Sequence, residues 1–216
     1  MSKEKYSTFF GSNGSKIDQD YERLKANITF AAKKNKAKIF TILSPNAKDG
    51  KTSFLIYTAL SYCKEQKKVL LIDGDFNKPA LHKEFHLSNE KGLSNYLTGE
   101  HSLSACIQPT AYPDLSVITA GTISKHLESI IHSRHMNTLI NTLRKSYDYV
   151  FIDTDALKES TTAKLLAAKS DSSIVVIRKK KANTEDLTEM NAAFKSYDIH
   201  LTGAVFNTRR IAWLKR

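Results

Sequence analysis

Short apolar runs alternate with longer amphipathic segments along the whole chain. Ile39–Leu43 is rich in β-branched and aromatic residues and ends at Ser44-Pro45, a pattern typical of a strand. Val69–Ile72 and Tyr149–Ile152 are apolar without alternation, as expected for strands that are covered on both faces of a sheet. The same criteria predict further strands at Leu115–Ile118, Ser173–Ile177 and Leu201–Phe206.

Segments with helical periodicity lie between these strands. An N-terminal helix is predicted from the spacing of Tyr21, Leu24, Ile28 and Phe30. Residues 51–64, 163–168 and 184–194 predict one helix each, and residues 127–143 predict one or two. Strands that alternate with helices indicate an α/β fold with a mostly parallel central sheet and helices on both faces.

No linker or internal repeat divides the chain, so we expect a single domain. Its predicted bounds are residues 17–207, preceded by a polar, mobile N-terminal arm at 1–16 and followed by a basic C-terminal tail at 208–216. The tail contains Trp213 among basic residues, which suits contact with anionic lipid heads or an acidic partner segment as well as a plain solvated end.

The composition narrows the class of protein. Among 216 residues, 41% are hydrophobic and 25% charged, a globular balance that excludes a wholly disordered chain. The apolar runs are too short to span a bilayer, no secretory signal is visible, and two cysteines without metal-site spacing suit a cytoplasmic protein. The net charge of +11 favours an anionic partner such as nucleotide, nucleic acid or membrane, although a solvated basic surface explains it equally well.

A phosphate-binding loop is predicted at residues 44–53, between a buried strand and a helix. Gly50 allows close approach of the backbone to phosphate, Lys51 can reach the β- and γ-phosphates, and the Thr52 hydroxyl can ligate Mg²⁺. The helix that starts near Lys51 directs its free N–H groups at the anion. Asp49 and Ser53 flank this motif and complete the predicted nucleotide-binding segment, while Pro45 replaces the first glycine of the general pattern. The fold is therefore predicted to be that of a P-loop NTPase.

Three carboxylates are predicted at the same edge of the sheet as this loop. Asp73 and Asp75 end one buried strand, and Asp153 ends another. Ligands of open α/β sheets bind at the carboxyl ends of the strands, and clustered carboxylates are stabilised by a shared cation. We therefore predict that Thr52, Asp73 and Asp153 support Mg²⁺, and that Asp75 faces the reacting end of ATP, where it can accept a proton.

These motifs resemble the bacterial tyrosine kinases of capsular and exopolysaccharide synthesis. The resemblance spans about residues 21–207 and rests on five segments. They are Val69–Asp75 with Lys78-Pro79, Gly92–Ser94, Thr119–Gly121 with Ser133-Arg134, Tyr147–Thr154 and Gly203–Asn207. It implies an ATP-dependent protein-tyrosine kinase with Lys51 and Asp75 as catalytic residues, Asp75 being the base, and with Asn207 near the adenine. It also implies a membrane-anchored activator, an association of subunits, no specific nucleic acid, and a cytoplasmic location at the inner face of the membrane.

Several positions depart from the pattern of that family. Lys48 stands at a glycine position, where it would need a positive φ, and Asn77 replaces an arginine. Asp155 replaces a proline, and Thr162 stands where an aspartate is common. The family's ring-assembly motif is reduced to Gln19, Glu22 and Lys25, and its C-terminal tyrosine cluster is missing, which leaves Tyr6 as the accessible tyrosine.

Three functions therefore stay open at this stage. The first is a tyrosine kinase that is active when joined to its activator. The second is a nucleotide-binding regulator that controls the same machinery by conformation alone, which the departures favour. The third is a partition or positioning ATPase, but such proteins carry a second lysine at the place of Asn46.

Overall fold

A computed structural model describes residues 16–122, 127–179 and 181–208. The predictions for Tyr6 and the basic tail fall on residues that are almost all outside these ranges. Helix α1 (Lys16–Asn35) begins at the end of the expected N-terminal arm. None of the described helices is long and apolar enough to cross a membrane.

Within the described residues, seven strands form one sheet in the order β3-β4-β2-β5-β1-β6-β7. The strands are β1 (Ile39–Leu43), β2 (Val69–Gly74), β3 (Ile107–Pro109), β4 (Leu115–Ile118), β5 (Tyr149–Thr154), β6 (Ser172–Arg178) and β7 (Leu201–Asn207). All neighbours are parallel except β3, which pairs antiparallel with β4. The predicted α/β fold with a mostly parallel sheet is thus confirmed.

The helices cover both faces of this sheet. They are α2 (Lys51–Cys63), α3 (Leu81–Glu84), α4 (Leu93–Leu97), α5 (Leu103–Cys106), α6 (Leu127–Ile131), α7 (Arg134–Ser146), α8 (Thr161–Lys169) and α9 (Thr184–Ser196), with a 3₁₀ turn at Leu157–Glu159. Because residues 132–133 separate α6 from α7, the segment predicted as one or two helices is two. The three-residue strand β3 is not predicted by the sequence, because it is too short to show a strand pattern. Among the described strands it pairs with the four-residue β4.

Each central strand contributes side chains to two separate apolar clusters. Phe40 and Phe151 pack against α1 and α2, whereas their strand neighbours Ile39 and Val150 pack against α7. All four residues are fully buried. This burial on both faces explains why the strands read as continuous apolar runs in the sequence.

The sheet order brings the ends of three strands together at one edge. Strand β5 lies between β1 and β2, so the loop that leaves β1 is adjacent to the carboxylates that end β5 and β2. The register pairs Asp73 directly with Asp153. This arrangement creates the site described next.

Candidate functional site

The loop between β1 and α2 turns sharply at Gly50. Gly50 has a φ of 99°, and a Cβ at this position would lie 2.3 Å from Asn207 Nδ2. The Asn207 amide donates to the Asp49 carbonyl at 2.9 Å. The glycine is therefore required both by its backbone conformation and by the close approach of β7. Asn207 lies against the loop, beside a small cavity that it lines together with Tyr21, Phe54 and Thr208.

Lys48 adopts the left-handed conformation that its glycine-like position requires, with a φ of 62°. A non-glycine residue there costs on the order of 1 kcal/mol, which the rest of the loop must offset. The conditional prediction of a positive φ at this position is thus confirmed.

Lys51 and Thr52 point towards the carboxyl ends of the strands. Lys51 is 7% exposed, and its ammonium donates to Ser44 Oγ at 2.9 Å. The Thr52 hydroxyl donates to Asp153 Oδ2 at 2.5 Å. One turn of α2 thus presents an ammonium group and a hydroxyl group beside a carboxylate, and the unpaired N–H groups at the start of the helix lie in the same place.

The Asp73 carboxylate is held by the backbone of the segment that follows. Its Oδ2 accepts the N–H groups of Ala80 and Leu81, each at 2.9 Å, and its Oδ1 accepts that of Asp75 at 3.3 Å. Burial and the adjacent Asp153 carboxylate raise the pKa of Asp73 to about 7, although the backbone donors act in the opposite direction. Asp73 therefore fixes the backbone at the start of α3. It would interact with a cation at a distance, by electrostatic attraction or through a water molecule.

Asp153 is buried beneath the loop and contacts Thr52. Burial raises the pKa of Asp153 to about 6, while the Thr52 hydroxyl and the Lys51 ammonium both act to lower it. Two neighbouring buried carboxylates with raised pKa values favour the arrival of a positive charge at this edge of the sheet.

Asp155 is a further carboxylate of the site that the sequence analysis treats only as a departure from the family. Burial and a hydrogen bond shared with Asp75 raise the pKa of Asp155. The Asn77 side chain donates to Asp155 Oδ2 at 3.1 Å, so two departures from the family pattern contact each other. The register of β2 against β5 was the missing signal, because it places residues 75 and 155 at equivalent positions after the paired Asp73 and Asp153.

Several of these groups line one cleft of about 600 Å³, whereas Asp73 and Asp153 are buried and do not line it. Its lining includes Lys48, Gly50, Lys51, Thr52, Ser53, Asp75, Asn77, Lys78 and Asp155. Asp49 does not line it, because its side chain is fully buried, so any contact of Asp49 with nucleotide would come from its backbone. Asp75 also accepts the Lys78 N–H at 2.7 Å, which holds its carboxylate at the rim.

The donors of this cleft fit a magnesium nucleotide. An ammonium group and helix N–H groups suit phosphate oxygens, and the Thr52 hydroxyl with nearby carboxylates suits a hard cation that keeps several waters. No three His, Cys, Asp or Glu residues in the described parts of the chain are arranged to hold a metal ion by themselves. A cation would therefore depend on phosphate oxygens and water as well as on protein ligands.

The remnant of the ring-assembly motif is engaged within the subunit. Lys25 lies on α1, and its ammonium pairs with Glu22 of the same helix and, at 2.8 Å, with Glu65, two residues after the end of α2. Its side chain is only 10% exposed. This lysine thus ties the first helix to the helix of the phosphate loop.

We expect the raised pKa of Asp153 to be visible in the stability of the nucleotide-free protein. Because burial raises this pKa from 3.8 to about 6, the folded protein retains a proton that the unfolded chain loses, and the contribution of Asp153 to stability falls as pH rises between these values. Asp153→Asn should therefore gain thermal stability relative to wild type when the pH is raised from about 5 to about 8.

Thermal unfolding midpoints of the two proteins across this range test the prediction. Asp198→Asn is the matched control, because Asp198 is an exposed aspartate before β7 at the other end of the strands. A difference between Asp153→Asn and wild type that does not change with pH would contradict it.

The fold and site together define a P-loop nucleotide-binding protein of the α/β type. An AAA domain model matches residues 37–202, and the tyrosine-protein kinase CpsD of Streptococcus pneumoniae serotype 4 is 32% identical over 194 residues, which cover 89% of this chain and 84% of CpsD. The chain therefore belongs to the AAA-domain family and, within it, to the bacterial tyrosine-protein kinases.

Solved structures agree with this assignment. The chimerical protein CapA2B2 matches with a TM-score of 0.86 and 27% identity over 96% of this chain and 91% of that chain. The kinase domain of the Escherichia coli tyrosine kinase ETK matches with a TM-score of 0.83 and 25% identity, over 87% and 73% respectively. The family resemblance predicted from the sequence is confirmed.

Proposed function

We propose that this chain is an ATP-dependent protein-tyrosine kinase that acts in capsular or exopolysaccharide synthesis. The observation that carries the proposal is the convergence of Lys51, Thr52 and Asp75 on one cleft, with the buried Asp153 bonded to Thr52, in a chain of the tyrosine-kinase family. The proposed domain is residues 17–207. Its working ligand is Mg-ATP, and its location is the inner face of the membrane, reached through a partner.

Most residues of the cleft have a role in binding Mg-ATP. Lys51 and the N-terminus of α2 bind the phosphates, with the backbone of Asp49, Gly50 and Ser53 lining their path. Thr52, oriented by its hydrogen bond to Asp153, would hold Mg²⁺, and Asp73 would supply further negative charge behind it. When bound, Mg²⁺ would supply positive charge to the phosphate oxygens. Asn207 fixes the shape of the loop beside the nucleoside.

We assign to Asp75 the role of the base that accepts the proton of the tyrosine hydroxyl. Its carboxylate lies at the rim of the cleft, where an incoming tyrosine hydroxyl can reach it. The phenolic oxygen forms a bond to the γ-phosphorus of ATP, the bond to the β–γ bridging oxygen breaks, and the phenolic proton passes to Asp75. The products are phosphotyrosine and ADP.

A membrane-anchored activator and an association of subunits complete the proposal. The CapA2B2 chimera that this chain resembles, and the family to which the chain belongs, support both.

The function is tested by the intact mass of the protein, produced with its membrane partner and incubated with Mg-ATP. We expect the mass to rise by whole phosphates that map to tyrosine on the chain or its partner. Lys51→Ala is the matched variant, which should gain none because the phosphates lose their cation. If ATP binds but neither protein gains phosphate, the kinase proposal is wrong and the chain is a nucleotide-dependent regulator.

A further inference from the structure

The phosphate loop contains a buried carboxylate that belongs to neither the metal site nor the cleft. Asp49 is 0% exposed, and its Oδ2 accepts the Asn46 N–H at 3.2 Å. Within the described residues its Oδ1 has no hydrogen bond of good geometry. A buried carboxylate is costly unless a positive charge accompanies it.

Lys181 supplies that charge from outside the loop. It lies between β6 and α9, and its ammonium is 3.3 Å from Asp49 Oδ1, close enough for an ion pair. The same ammonium donates to the Ala47 carbonyl. One side chain thus neutralises the buried acid and fixes the backbone two residues before it.

The first turn of α9 holds the loop at a second point. Asp186 accepts from the Asn46 side chain at 2.9 Å and pairs with Lys158 at 2.8 Å. Asp186 itself is fixed by a capping box with Asn183 at the start of α9. Lys181 lies two residues before Asn183, the N-cap of α9, and the first turn of that helix also contacts the loop.

We infer that Lys181 is a positioning residue for nucleotide binding, an inference that rests on the proposed function of the cleft. Without its ammonium, the loop that receives an anionic triphosphate would carry an uncompensated carboxylate within a few residues of Lys51. That charge would repel the phosphates and draw the loop away from its phosphate-accepting shape. Lys181 contributes to affinity through Asp49 and Ala47 and does not line the cleft.

Titration calorimetry with Mg-ATP tests the role of the charge. Lys181→Ala should weaken binding by about tenfold or more, because it leaves a buried charge unpaired. Lys181→Arg should retain most of the affinity, and Asp49→Asn in the Lys181→Ala background should restore it, because the neutral amide no longer needs a cation. Lys195→Ala, an exposed lysine in the last turn of α9, is the control and should bind as wild type does.

Two results would overturn the inference. One is unchanged affinity in Lys181→Ala, and the other is failure of Asp49→Asn to rescue that variant when circular dichroism shows that both are folded. If wild type binds no nucleotide, the proposed function fails and this inference fails with it. Chemical unfolding of the four proteins of the Lys181→Ala and Asp49→Asn cycle measures the ion pair separately, because non-additive effects support the pair and additive effects exclude it.

Discussion

Asp75→Asn is expected to lower the rate of tyrosine phosphorylation by roughly 10²–10⁴-fold, the range of a general base. An amide retains the size and the Lys78 hydrogen bond of the carboxylate but cannot accept the phenolic proton. The affinity for Mg-ATP should change little, because Lys51, Thr52 and Asp153 are untouched. Single-turnover phosphorylation and calorimetric nucleotide binding, measured on the same preparation, separate the two effects.

The neighbouring Asp155 makes this experiment more specific. Asp75 and Asp155 follow the paired Asp73 and Asp153 at equivalent positions, and burial and the adjacent Asp75 raise the pKa of Asp155, so Asp155 is the second carboxylate that could accept the proton. Asp155→Asn should therefore be compared in parallel, with the exposed Asp198→Asn as a control for the chemical change. Normal phosphorylation in Asp75→Asn together with loss in Asp155→Asn would transfer the role of base to Asp155.

Phe151→Ala is expected to cost about 3–5 kcal/mol of the free energy of unfolding, out of a typical total of about 5–15. Phe151 is 0% exposed and lies on β5 between β1 and β2. Its ring stacks against Phe40, Tyr62 and Tyr149 at centroid distances of 5.8, 6.0 and 6.2 Å. The substitution leaves a cavity among large rigid rings, which cannot close around it.

Chemical denaturation measures this loss directly, and the chain offers a matched control. Phe30 on α1 is 73% exposed, so Phe30→Ala removes the same atoms from a side chain that is already in water. That variant should stay within about 0.5 kcal/mol of wild type. Equal denaturation midpoints for the two variants would contradict the prediction that Phe151 contributes strongly to the stability of the core.

The raised pKa values of Asp73 and Asp153 also affect how nucleotide binding depends on pH. The pKa values of Asp73 and Asp153 are raised mainly by burial. Ionisation of these carboxylates near neutral pH therefore destabilises the folded protein when no nucleotide is bound. A magnesium nucleotide removes that cost. Nucleotide should therefore stabilise the protein more strongly at the upper end of this pH range, which follows from the same linkage as the Asp153→Asn prediction.

The sequence by itself determined the elements, the fold class and the chemistry of the phosphate loop. Ile39–Leu43 and Val69–Ile72 are apolar on both sides, and this local pattern is sufficient to predict buried parallel strands. The Gly50-Lys51-Thr52 motif and the aspartates that follow strands are also local, because each is read from its position relative to one strand or helix end. Such features depend on neighbours in the chain, which the sequence shows directly.

Only the tertiary structure decided which distant groups meet. The pairing of β2 with β5 sets Asp73 against Asp153 and brings Asp155 to Asp75, although nearly 80 residues separate them in sequence. The reach of Lys181 to Asp49 likewise depends on β6 lying beside β1. Strand order and register are fixed by the packing of the whole core, because many weak contacts across both faces select one arrangement. The sequence therefore identified most residues of the site, and the order and register of the strands determined which of them are in contact.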